Sequence, residues 1–107
     1  NIALKEMLVN GATLTDLRRQ TEWKNTGVIE GSHKITAFNR YGKFVRSFPQ
    51  KLARISNKNQ TIILICRSGN RSSIIANMLV EQAGYSKVYN VAEGILKWIK
   101  DGNSVIK

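Results

Sequence analysis

One cysteine, one histidine and one proline occur in 107 residues, and each scarcity removes a class of explanation. A single cysteine cannot form an internal disulfide or a CxxC pair. With His33 as the only histidine, no clustered ligand set for structural zinc or another transition metal exists, and neither a metal nor a cofactor is expected. The longest unbroken apolar run, Ile62 to Cys66, has five residues, far from the roughly 20 that span a bilayer. A soluble chain without a membrane span is therefore expected. Internal repeats and low-complexity tracts are absent as well. The first residue is Asn1 rather than Met, as in a processed or trimmed chain. That leaves the compartment open between the cytoplasm and export to a space such as the periplasm.

Acids are the other shortage. Lys and Arg number 17 against seven Asp and Glu, for a formal charge of +10, and the excess is concentrated. Residues 31–80 hold Lys34, Arg40, Lys43, Arg46, Lys51, Arg54, Lys58, Arg67 and Arg71 with no acid, while residues 1–30 are balanced and residues 81–107 carry a net +1. The middle of the chain thus favours an anionic partner, although a solvated basic face is the ordinary explanation. Tyr41, Phe44 and Phe48 interleave with the basic residues, but no recognised RNA or DNA module accompanies them, so a nucleic-acid partner is not expected.

With 42% hydrophobic residues, this length suits one domain over residues 1–107. Residues 2–9 read as a helix ended by Asn10-Gly11, and "ATLTDL" as a short strand ending at Asp16. "RRQTEW" reads as a helical turn or two, followed by a loop "KNTGVIEGSH" that includes His33, and "KITAF" as a second strand. Ser47 and Pro49 mark the start of a helix over 50–56. "TIILI" is a β-branched run without alternation, the pattern of a strand buried on both faces of a parallel sheet. Beyond the cysteine, a helix is predicted from Ser72 or Ser73, with Ile74, Ile75, Met78 and Leu79 on one face and Gly84 closing it. "KVYNV" is a strand, and "EGILKWIKDG" a helix with Ile95, Trp98 and Ile99 inward. Strands alternating with helices give an α/β layered domain.

The chemistry concentrates in "CRSGNRS", residues 66–72. A cysteine in an apolar run is by default a small buried hydrophobe, but this one leaves a parallel strand at its C-terminal end, where α/β sheets place their ligand sites. Its thiol would face free amides at a helix N-terminus, and Gly69 with Asn70 would let the backbone curl into an anion nest. Arg67 and Arg71 add positive potential, so the thiol pKa should fall below its ordinary value of about 8.5. Such a cysteine is a nucleophile without a histidine base.

This arrangement resembles the rhodanese family of sulfurtransferases, from about Leu14 to Ile99. The loop "CRSGNRS" is similar to the family's active loop. "TDLRRQTEW" is similar to its Asp-x-Arg followed by Glu and an aromatic residue, and "GYSKVYNVAEGILKW" to its closing segment. "GVIEGSH" looks like a variant of Gly-His-Ile-Pro-Gly-Ala, and Glu93-Gly94 stands for a glycine pair. The resemblance implies a rhodanese-like three-layer domain, a small mainly parallel sheet flanked by helices on both faces. It further implies that Cys66 takes the outer sulfur of a small anionic donor such as thiosulfate, releases sulfite, and passes the sulfur from a persulfide to cyanide, a thiol or a protein cysteine. Arg67, Ser68, Gly69, Asn70 and Arg71 would bind the donor and the persulfide. Asp16, Arg18 and Ser72 would support the loop, Asp16 and Arg18 as a structural pair. Arg67 could instead point into solvent, and Arg71 could brace the loop carbonyls rather than touch substrate. A monomer or weak dimer is expected.

Two other classes compete. A phosphatase or arsenate reductase of related architecture needs Cys, five residues, then Arg. Here Arg71 follows Cys66 after four, so the loop is one residue short. A sulfur-carrying or redox module that loads on Cys66 and depends on a partner protein is compatible with every residue named above.

Overall fold

The structure, a computed structural model, describes residues 2–107, in the order α1 (Ile2–Val9), β1 (Thr13–Asp16), α2 (Gln20–Thr26), β2 (His33–Lys34), α3 (Phe48–Ile55), β3 (Ile62–Ile65), α4 (Asn70–Gln82), β4 (Val88–Asn90) and α5 (Gly94–Lys100). All strand pairings are parallel, in the order β2-β1-β3-β4. The chain builds outward from β1 to β2 and then returns to the other side of β1 for β3. This leaves a switch point between β1 and β3, where α/β sheets open a crevice at the C-terminal strand ends. Asp16 and Ile65 are register partners at that end, which delivers Cys66 directly to the crevice.

The run without alternation at β3 does what its pattern demands. Ile62 and Leu64 pack on one face with Leu17, Phe48, Leu52, Ile75 and Leu79, and Ile63 and Ile65 on the other with Leu4, Leu14, Ile29, Ile95 and Trp98. Helices α3 and α4 therefore cover one face and α1 and α5 the other, giving three layers. Each fully buried aliphatic contributes about 1.5–3 kcal/mol, so the strand carrying Cys66 is the best-anchored element of the fold. Among the described residues no helix is long and apolar enough to cross a membrane.

Several expected boundaries move. Helix α2 runs on through Lys24, Asn25 and Thr26, because Gly27, at φ 80°, provides the stop. The strand expected at "KITAF" is only His33–Lys34, with His33 exposed in it rather than in a loop. Beyond Lys34 the chain follows β1 and its exit through Ile35 N–H to Asp16 O, Ala37 N–H to Leu17 O and the Thr36 hydroxyl to Arg18 O at 2.9 Å, without forming further strand. Helix α4 starts at Asn70, not at Ser72 or Ser73, since Gly69 at φ +99° already turns the chain into it. Ile74 is 60% exposed and Ile99 38% exposed, whereas both were expected inward.

Candidate active site

Cys66 is the first residue past β3 and is 1% exposed. The loop after it is held from outside by α5. Ile95 N–H donates to Cys66 O at 2.9 Å and Leu96 N–H to Arg67 O at 3.2 Å. With those carbonyls turned outward, the amides turn inward. Gly69 N–H donates to Cys66 Sγ at 3.1 Å and Ser72 N–H at 3.5 Å, and the Ser72 hydroxyl stands 3.3 Å from the same sulfur. Two glycines permit this closure. A Cβ on Gly69 would collide with Ala92 O, and one on Gly94, at φ +65°, would lie 2.6 Å from Cys66 O.

Burial pushes the Cys66 thiol pKa up, but hydrogen bonds from the Ser72 hydroxyl and from the Ser72, Gly69 and Ser68 amides outweigh it, and the net direction is downward. The direction is the one the sequence predicts; its leading causes are these donors, and Arg71, which is coupled electrostatically to Cys66, is not among the leading ones. Ser72 does more than support the loop. Its one hydroxyl proton has three acceptors in reach, Cys66 Sγ, Gly69 O at 3.3 Å and Asn90 Oδ1. Asn90 in turn donates from Nδ2 to Gly69 O at 3.3 Å. Asn90 was not singled out from the sequence. Its position at the C-terminal end of β4, level with the crevice, was the available signal.

Arg71 does not brace the loop carbonyls. It makes a two-pronged pair with Glu22 of α2, Nη1 to Oε1 at 2.8 Å and Nη2 to Oε2 at 2.7 Å, which ties the start of α4 to α2. This hydrogen bonding is the leading reason that the Glu22 pKa is lowered. Asp16 and Arg18 form a fully buried pair at 2.9 Å. Arg18 also donates to Thr26 Oγ1 at 2.6 Å and to Gly27 O at 2.9 Å, so one guanidinium joins the end of β1 to the end of α2. Arg67, Ser68 and Asn70 are exposed on the rim of the loop. The structure therefore brings Cys66, Gly69 and Ser72 into direct contact, sets Arg71 beside them through Glu22, and leaves Asp16 and Arg18 as an anchor away from the sulfur. Among the described residues no group of His, Cys, Asp and Glu could hold a metal ion.

A family model described as a rhodanese-like domain matches residues 2–101. The chain is 33% identical over 90 residues to an uncharacterized protein of Rickettsia prowazekii, covering 82% of this chain and 72% of that one. It is 40% identical over 45 residues to an adenylyltransferase and sulfurtransferase of Candida glabrata, covering 42% of this chain and 10% of that protein. Among solved structures, a rhodanese-related protein from Thermoplasma volcanium superposes with a TM-score of 0.70 at 27% identity, covering 96% of this chain and 90% of that chain.

Proposed function

The chain belongs to the rhodanese-like domain family, and from that membership and the loop geometry we propose that it is a sulfurtransferase carrying sulfane sulfur as a persulfide on Cys66. The Cys66 thiolate attacks the outer sulfur of thiosulfate, the sulfur–sulfur bond of the donor breaks, and its electron pair leaves with sulfite. A thiophilic acceptor, cyanide or a thiolate, then attacks the outer persulfide sulfur and returns Cys66 as thiolate. The observation that carries this reading is the sulfur of Cys66 facing amide and hydroxyl donors in a closed loop. Preorganised donors of this kind stabilise an anion without reorganising when charge moves. Arg67, exposed on the rim with Ser68 and Asn70, draws the dianionic donor in. Arg71, neutralised in part by Glu22, holds the loop in register as well as adding to the field.

The test is intact mass after incubation with thiosulfate. A gain of one sulfur atom, lost on adding cyanide and absent in Cys66→Ser, supports the reading, and an unchanged mass in the folded wild type sinks it. The acid-free stretch of residues 31–80 favours a second reading, in which Cys66 loads but discharges to a partner protein that docks on the basic surface. Loading without steady-state turnover to small acceptors distinguishes it.

A further inference from the structure

At the start of α4, where Arg71 follows the cysteine loop, lies an open hollow of about 410 Å³ whose walls include Arg19, Arg40 and Arg71 together with Phe38 and Ile74. Its charge is unbalanced. Among the described residues Glu22 is the only carboxylate paired with any of these arginines, and both of its oxygens are taken by Arg71. The Arg19 backbone N–H donates to Glu22 Oε1 at 3.3 Å, but its guanidinium reaches that carboxylate only at 3.7 Å, and its Nε is enclosed without a hydrogen-bond partner. Arg40 lies over the Tyr41 ring at 4.9 Å and donates to its hydroxyl at 2.6 Å, contacts that leave its charge unneutralised. Three guanidiniums thus line the hollow against one carboxylate, an excess of two positive charges on a surface that also exposes apolar Ile74. Arginine forks match carboxylates in geometry as well as in charge.

Thiosulfate, a compact inorganic dianion, would fill little of this space and would leave Phe38 and Ile74 unused. We propose that the hollow is the acceptor subsite, taking the body of an organic thiol that carries two carboxylates, with Arg19 and Arg40 as the residues that select it. The proposal rests on the persulfide chemistry of Cys66 set out above. The acceptor thiolate attacks the outer sulfur of Cys66–S–SH, forming a new sulfur–sulfur bond. The old bond breaks with its electron pair on Cys66 Sγ, and the products are the acceptor's persulfide and the Cys66 thiolate.

The experiment separates the two half-reactions. Protein loaded with thiosulfate and freed of excess donor is mixed, at constant ionic strength, with mercaptosuccinate or with 1-thioglycerol, a neutral thiol of similar size. Discharge is followed by intact mass, with rates expressed per thiolate. Mercaptosuccinate should saturate and be preferred by about tenfold, the lower range for charge-assisted hydrogen bonds at a partly exposed site. Arg40→Gln and Arg19→Gln should each reduce that ratio several-fold, through the half-saturating concentration rather than the limiting rate. Lys51→Gln, the same charge loss on an exposed position of α3, should keep it. Equal efficiency for the two thiols, or an unchanged ratio in the Arg19 and Arg40 variants, overturns the subsite and leaves the persulfide chemistry standing. A failure of loading counts against the proposed donor chemistry instead. The subsite is then decided on unloaded protein by titrating succinate and following the arginine Nε–H NMR signals. Shifts confined to Arg19 and Arg40 support it, and their absence overturns it.

Discussion

Removing the Ser72 hydroxyl should raise the Cys66 pKa by about one unit. A hydrogen bond to a charged partner contributes about 1.5–3 kcal/mol. At 3.3 Å from a large sulfur, with Asn90 Oδ1 and Gly69 O competing for the same proton, Ser72 belongs at the lower end. About 1.5 kcal/mol corresponds to about one pKa unit, because the donor is lost while the Ser72 and Gly69 amides remain. The assay is the pH dependence of Cys66 alkylation by iodoacetamide in Ser72→Ala, with Ser73→Ala as the neighbouring control. Asn90→Ala supplies a test of sign. It removes the competing acceptor, so the hydroxyl is free to turn to the sulfur and the pKa should fall or hold, opposite to Ser72→Ala. A Ser72→Ala profile that does not move upward, or two variants that shift upward together, refutes the account of how the thiolate is stabilised.

Glu22→Gln should cost about 2 kcal/mol, between an exposed pair and a buried one, lowering Tm by about 8 °C for a domain of this size. The Glu22 pKa is lowered in the fold, chiefly by Arg71, so its stabilisation is complete above the unfolded value of about 4.3 and is lost as pH falls through the lower folded one. The stability gap between wild type and Glu22→Gln should therefore close in acid, and a gap that persists well below pH 4 would show that charge is not its cause. Arg18→Met should cost about 3–5 kcal/mol by stranding a buried Asp16 carboxylate, read as a lower urea midpoint. The double variant with Asp16→Leu should recover part of that loss, and failure to recover any would count against the pairing argument. Gly69→Ala should reduce persulfide loading by at least about tenfold, since φ +99° disfavours any side chain and Ala92 O occupies the space. Loading at the wild-type rate would mean that the loop closes without this contact.

The central strand, the cysteine at its exit and the layered α/β plan were legible because each is written in consecutive residues. Five apolar residues need two covered faces, and a small polar loop after them needs a helix to begin. Helix ends and shallow helix faces were less legible. Ile74 lies only one residue from the buried Ile75, and a period of 3.6 cannot tell which of the two faces the sheet. The site's long-range contacts were hidden for a different reason. Glu22 and Arg71 lie 49 residues apart, and no local pattern announces that α2 and α4 start side by side. Glu22 was legible as the Glu of "TDLRRQTEW", but its partner was not. Asn90 could have been suspected as a polar residue ending a strand that must finish level with Cys66.

The glycine contacts behind the loop also bear on how this scaffold can diverge. Because a side chain on Gly69 would meet the Ala92 carbonyl and one on Gly94 the Cys66 and Arg67 carbonyls, the 92–94 turn leaves little room behind the loop. An added residue between Cys66 and Arg71, the size that would enclose a phosphate-like tetrahedron, would have to bulge toward that turn or break the Arg71–Glu22 pair. A library aimed at a longer loop would therefore vary residues near 92 together with residues 67–70, so that the turn and the loop can adjust to each other.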